Sequence, residues 1–92
     1  MDMTKKEMIE AAGKVAGAMG GYNNQIIIDA IDSGFDSIPD MFALSNQATG
    51  IIRKTADGLT NYVNDVPVKT IPWTDDLKDK ALVMYAARIS KI

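Results

Sequence analysis

Apolar residues recur every three or four positions through most of the chain, which is the spacing of a helix that buries one face. The first series follows Thr4-x-x-Glu7, a sequence typical of a capping box at the start of a helix. The longest series runs between residues 41 and 63, with polar residues at the intervening positions. The pattern predicts four helices, over residues 4–19, 24–33, 39–64 and 74–91.

The segment 66–73 cannot belong to a helix, because Pro67 and Pro72 each favour an extended residue before them. We expect a stiff, extended connector there, since the segment lacks glycine and serine. Residues 26–28 are isoleucines with strand propensity, but no second alternating run is present to pair with them. A helix is therefore preferred over a strand at this point. Residues 1–92 are predicted to form a single all-α domain, a bundle of about four helices.

Glycines interrupt two of the predicted helices. Gly13 and Gly17 leave a flat strip on the first helix. Close packing of another helix against this strip is preferred over an interaction motif. Gly50 and Gly58 are interpreted as points of bending or of close approach in the long helix.

The last predicted helix has clear ends and almost no polar residue in its middle. Thr74 is a suitable N-cap, and Arg88 lies near the C-terminus, where positive charge is favoured. Residues 82–87 are all apolar and would cover every side, so the helix is buried or binds a partner. The other predicted helices offer too little surface to bury it. The pattern thus predicts association of the chain with itself or with a larger assembly.

Length and charge narrow the function classes. The 92 residues suffice for one small domain, and ten basic against twelve acidic residues are interleaved along the chain. The basic pairs Arg53-Lys54 and Lys5-Lys6 are interpreted as solvated surface, so nucleic acid is not an expected target. No apolar run is long enough to span a bilayer, and no secretory signal is evident. The expected location is the cytoplasm of the producing cell.

The residue types that most often carry catalysis are missing. The sequence has no histidine and no cysteine, which removes the commonest general base and all thiolate chemistry. Four aspartates draw attention as a cation site, but their spacing does not follow that of a calcium-binding loop: Asp29, Asp32, Asp36 and Asp40. We therefore predict a non-enzymatic protein with no catalytic residues, no metal and no cofactor.

Aromatic and apolar residues near the long and last helices are the candidates for contact with a protein partner. Aromatic side chains are enriched at interface hot spots. Two interpretations of Trp73 stay open: a lid over the core, which is slightly preferred, and an anchor at an interface. The candidate interface residues are Tyr62, Trp73, Leu82, Tyr85 and Ile89.

The chain opens with a Thr-Lys-containing helix over residues 4–12 and later carries Ile71-Pro72-Trp73 followed by an alanine-rich helix over 81–89. In these two stretches the chain resembles the head-to-tail adaptor proteins of tailed bacteriophages. The resemblance implies a helical subunit of a ring between portal and tail, with no catalysis and a place in the virion. In size and predicted helices the chain is also similar to bacteriocin immunity proteins. This alternative implies a cytoplasmic monomer that binds or inhibits one specific partner.

Overall fold

A computed structural model describes residues 3–92, which form three α-helices and one four-stranded sheet. The elements are α1 (Lys5–Ala18), α2 (Asn24–Ser33), a short 3-10 turn (Phe35–Ser37), β1 (Ala43–Gln47), β2 (Gly50–Lys54), β3 (Gly58–Val63), β4 (Val66–Pro72) and α3 (Asp75–Ile89). The strands lie in the order β1-β2-β3-β4, and every neighbouring pair is antiparallel. The fold is therefore α+β, and the prediction of an all-α bundle was wrong.

The largest error concerns the helix expected over residues 39–64, which is instead occupied by β1, β2 and β3. Leu44, Ile52 and Leu59 line one groove in the sheet, yet they lie about two helical turns apart in sequence. Apolar residues on neighbouring short strands thus have the same sequence spacing as the apolar face of a helix. Gly50 and Gly58 are not bends in a helix, because each begins a strand with a positive φ.

The segment 66–73 is extended, as its prolines require, but it is not a free connector. Most of it forms β4, which pairs with β3 except at Val68, where the register shifts by one residue. The two strands are joined by Asn64 and Asp65, both with positive φ. Two such residues form the tight hairpin turn whose twist suits antiparallel strands.

The helix starts follow the local signals in the sequence. In α1 the Thr4 hydroxyl accepts a hydrogen bond from the Glu7 N–H, and the Glu7 carboxylate accepts one from the Thr4 N–H. This backbone hydrogen bond lowers the pKa of Glu7. Asn23 caps α2 and Thr74 caps α3 in the same manner. The expected capping box is confirmed, and residues 26–28 are helical as preferred.

The flat strip on α1 is covered by an aromatic ring rather than by another helix. The ring of Tyr22 lies against both Gly13 and Gly17, and a Cβ at Gly13 would be 3.4 Å from its hydroxyl oxygen. The backbone beside Tyr22 also pairs with the C-terminus, where the Asn23 N–H donates to the Ser90 carbonyl. The interpretation of the strip as a helix-packing surface was therefore wrong.

The last helix is the centre of the molecule. Helices α1 and α2 pack against α3, and β1 contacts it as well. Leu82 is 4% exposed, and Ala86 and Ala87 are fully buried. The sheet and the two helices thus bury Leu82, Val83, Ala86 and Ala87, whereas Met84 and Tyr85 stay partly exposed. The apolar middle of this helix no longer requires a partner.

Candidate protein interface

One face of the sheet is directed towards α3. In antiparallel strands, directly opposite residues share a face. The pairs Ile52–Asn61 and Lys54–Leu59 belong to this face. Lys54 and Leu59 lie near the helices, where the Lys54 ammonium donates to the Ile38 carbonyl at 2.7 Å. The β1–β2 side of this face therefore belongs to the folded core.

The same face is uncovered where it crosses β3 and β4. Val63 is opposite Val66, and Ile71 is opposite Leu59, so all four side chains share the face that bears Ile52. Val63, Val66 and Ile71 are exposed by 36%, 57% and 46%. We call these three residues the open sheet face. The Asn61–Lys69 pair lies between Ile71 and the two valines, so the face combines exposed aliphatic side chains with one lysine.

The open sheet face continues into an apolar groove between the sheet and α3. The groove has a volume of about 180 Å³. Its apolar lining comes from the sheet and from α3: Leu44, Ile52, Leu59, Leu77, Ala81 and Met84. Leu59 lines the groove and is also opposite Ile71, so the two surfaces are continuous.

The charged groups on this side of the molecule are basic. Lys69 is opposite Asn61 and therefore lies on the same face as the open residues. Within residues 3–92 it makes no ion pair. Lys80 lines the groove and binds Asp76 at 3.0 Å, a hydrogen bond that lowers the pKa of Asp76. Lys69 is thus the charge that remains free to meet a partner here.

Two prolines remove backbone donors from the outer edge of β4. The Gly58 carbonyl accepts from the Thr55 N–H at 3.0 Å, so it points towards β2, and the opposite residue Pro72 has its nitrogen on the outer edge. The pair Val63–Val66 closes the turn and is hydrogen-bonded, so the next pair, Tyr62–Pro67, is not. The nitrogen of Pro67 therefore also lies on the outer edge. Proline carries no N–H, and it is a known device for protecting edge strands. The outer edge of β4 therefore offers few N–H groups for pairing, and its exposed side chains are the more extensive surface.

Helix α3 borders a second groove on its other side, where it meets α2. This α2–α3 groove has a volume of about 260 Å³ and is lined by Ile26, Asp29, Ala30, Ser33, Ser37, Tyr85 and Ile89. Ile26 is 37% exposed. The Asp29 carboxylate accepts a hydrogen bond from the Gln25 amide but has no ion pair within residues 3–92. The groove is therefore apolar with one free acidic group.

The four aspartates that suggested a cation site are not gathered together. Asp32 binds Lys5 at 2.8 Å, and Asp40 lies 3.5 Å from the Lys54 ammonium. In the described part of the chain, no three acidic residues lie close enough to hold a metal ion. These carboxylates serve as partners for lysines and as surface charge.

The candidate interface residues are dispersed over the molecule. Tyr85 and Ile89 line the α2–α3 groove, whereas Leu82 is buried and faces the core. Tyr62 lies on the opposite face of the sheet from Ile71, where its hydroxyl donates to the Met41 sulfur at 3.6 Å. Only Tyr85 and Ile89 therefore share a surface.

Trp73 packs as a cover over one end of the core. Its indole N–H donates to the Thr55 carbonyl at 2.8 Å, and its ring meets Phe35 edge to face at 4.7 Å. The side chain is half-buried and contacts the core residues. This geometry is the one that the lid interpretation requires.

Replacing Trp73 with phenylalanine is expected to lower the free energy of unfolding by about 1–3 kcal/mol, because the Thr55 carbonyl loses its donor. Urea unfolding followed by circular dichroism measures this difference. Tyr62→Phe is the control, since it removes a hydroxyl that bonds only to a sulfur atom near the surface. If Trp73→Phe leaves unfolding unchanged but weakens association, Trp73 is an interface anchor.

The apolar residues of β4 were missed because the prolines suggested a connector. The signal was present: Asn64-Asp65 is a turn sequence, and the β-branched residues on both sides of it favour strands. Val66, Val68 and Ile71 then become exposed side chains on an edge strand rather than parts of a linker.

No helix among residues 3–92 is long and apolar enough to cross a membrane. Comparison of the chain with protein-family models, curated proteins and solved structures gives no match.

Proposed function

We propose that this chain is a non-enzymatic subunit of a homo-oligomeric assembly, and that the open sheet face is buried between copies. The observation that carries the proposal is the exposure of Val63, Val66 and Ile71 on a face that continues into an apolar groove. Burial of apolar surface is the main driving force of protein association. The non-enzymatic role rests on the sequence, which has no histidine or cysteine.

Charge favours a second copy as the occupant of this face. Among residues 3–92, Lys69 is the charged residue on the open side without an ion pair, so a fitting partner presents an acidic group among apolar residues. The chain itself carries such a surface in the α2–α3 groove, with Asp29 beside Ile26 and Tyr85. A copy of the chain therefore supplies the complementary chemistry without any other partner.

The phage resemblance gives this proposal one biological setting, the virion. The two stretches at residues 4–12 and 81–89 are largely helical, which fits the resemblance. Ile71 and Pro72 instead end a strand, and the helical fold that the resemblance implied is replaced by α+β. The proposal therefore depends on the open sheet face and not on the resemblance.

Ile71→Glu is expected to raise the dissociation constant of self-association by at least about tenfold, because a carboxylate would have to be buried in an apolar contact. Ile71 is 46% exposed, so the monomer keeps its fold. Val66→Glu, at a more exposed site on the same face, is expected to act in the same direction. Sedimentation velocity over a concentration series measures the effect.

Asn46→Glu is the matched control, because Asn46 is exposed on β1 and lies on the opposite face of the sheet, as its pairing with Ile51 shows. It adds the same charge and should leave association unchanged. If the unmodified chain is monomeric at every concentration tested, the proposal fails. A monomer that binds one specific partner, as the immunity or inhibitor interpretation predicts, is then favoured.

A further inference from the structure

We infer that the contact between copies is heterologous: the open sheet face of one copy packs into the α2–α3 groove of the next. The inference rests on the proposed function and adds the identity and orientation of the partner surface. A surface that packed on itself would bring two copies of Lys69 to one small contact. Packing into the groove instead brings Lys69 of one copy next to Asp29 of the other, and neither residue has an ion pair within residues 3–92.

The two surfaces carry opposite charges once the residues that already form ion pairs within the chain are left out. Asp32 is already bound to Lys5, and Lys80 to Asp76. Within residues 3–92, Lys69 remains on the open sheet face and Asp29 remains in the groove. Complementary charges across a contact set partner choice and orientation more than affinity.

The apolar parts of the two surfaces also match in kind. The open face offers aliphatic side chains, and the groove offers Ile26, Tyr85 and Ile89. Ile26 is 37% exposed, so its side chain is accessible to a neighbour. Lys69 lies between Val66 and Ile71 on this face, so the contact then has a charged pair flanked by apolar side chains on both sides.

The two surfaces occupy different sides of α3, so one copy can use both at once. Met84 lines the groove under the sheet, and Tyr85 lines the α2–α3 groove. Consecutive residues of a helix point about 100° apart, because the helix has 3.6 residues per turn. Each bound copy thus leaves one of its surfaces free for another. Such contacts generate a closed ring or an open filament.

Mixing two singly blocked variants tests this arrangement. Ile71→Glu blocks the open sheet face and leaves the groove intact, whereas Ile26→Glu blocks the groove and leaves the face intact. Each variant alone is expected to be monomeric. An equimolar mixture is expected to form a 1:1 dimer and nothing larger, because the intact face of one binds the intact groove of the other. Native mass spectrometry measures the masses.

The outcomes separate this inference from the proposed function. If the unmodified chain assembles but the mixture stays monomeric, the open sheet face and the α2–α3 groove do not bind each other and the heterologous contact is wrong. If Ile26→Glu assembles like the unmodified chain, the groove is not part of the contact and the inference also fails. If the unmodified chain itself never assembles, the proposed function fails first.

A charge reversal gives a second and independent readout. Lys69→Glu and Asp29→Lys are each expected to weaken association about tenfold, as loss of a favourable pair and gain of a like-charge contact require. Mixed together they should recover most of the lost affinity, since Glu and Lys again face each other. No recovery on mixing, while both variants stay folded by circular dichroism, overturns the pairing of these two residues.

Discussion

Leu82→Ala is expected to lower the free energy of unfolding of the monomer by about 2–5 kcal/mol, because truncating a buried leucine removes its burial and leaves a cavity. Leu82 is 4% exposed and belongs to the core in which α3 meets the other helices. Neighbouring Ala86 and Ala87 are fully buried and too small to move into the space. A domain of this size has a stability of about 5–15 kcal/mol, so the variant loses a large share of it.

Urea unfolding at a concentration where the unmodified chain is monomeric measures the loss. Leu77→Ala is the matched control, since Leu77 lies on the same helix but is half-buried beside the open groove. Its loss should be smaller. An unchanged unfolding midpoint for Leu82→Ala, together with weaker association, would show that Leu82 is an interface residue after all.

Gly58→Ala is expected to be strongly destabilising, by at least about 2 kcal/mol, because two separate effects act at the same position. Gly58 has φ +157°, a conformation that other residues rarely adopt. A Cβ at this position would also strike the Ile71 carbonyl, with the carbonyl carbon only 2.7 Å away. That carbonyl lies in the ladder between β3 and β4, so it cannot move without loosening the strand pair.

Gly20→Ala separates the two effects. Gly20 has φ +120°, but a Cβ there would meet no atom within 4 Å, so only the backbone strain applies. Thermal unfolding should show a markedly lower melting temperature for Gly58→Ala than for Gly20→Ala. Equal melting temperatures would mean that the strands adjust to the added methyl group, contrary to the close packing of β3 on β4.

Local signals were sufficient for the helices and insufficient for the sheet. A helix is specified by groups close in sequence. The start of α1 is therefore predicted by Thr4 and Glu7, and that of α3 by Thr74 and the acidic residues after it. A sheet is specified by pairs far apart in sequence. The spacing of apolar residues between 41 and 63 is compatible with a helix and with short strands, and only the turns between the strands distinguish the two.

The candidate interface was harder to predict for the same reason. Whether a residue contacts solvent or core depends on the pairing of strands, which decides the face on which each side chain lies. Ile71 is exposed only because α3 covers β1 and leaves β4 free. Leu82, with a similar apolar character, is buried because it lies on the helix against which α1, α2 and β1 pack. Composition alone could not distinguish these two side chains.

The prolines of β4 also affect how the exposed surface of this strand can change through substitution. An open strand edge recognises backbone groups, which every sequence shares, so it accepts many extended chains. With Pro67 and Pro72 on that edge, a partner bound as proposed would be recognised mainly by side chains such as Val66 and Ile71. Substitutions at those positions would then alter the preferred partner while the strand ladder is untouched. The binding specificity of such a surface could therefore change without loss of the architecture that carries it.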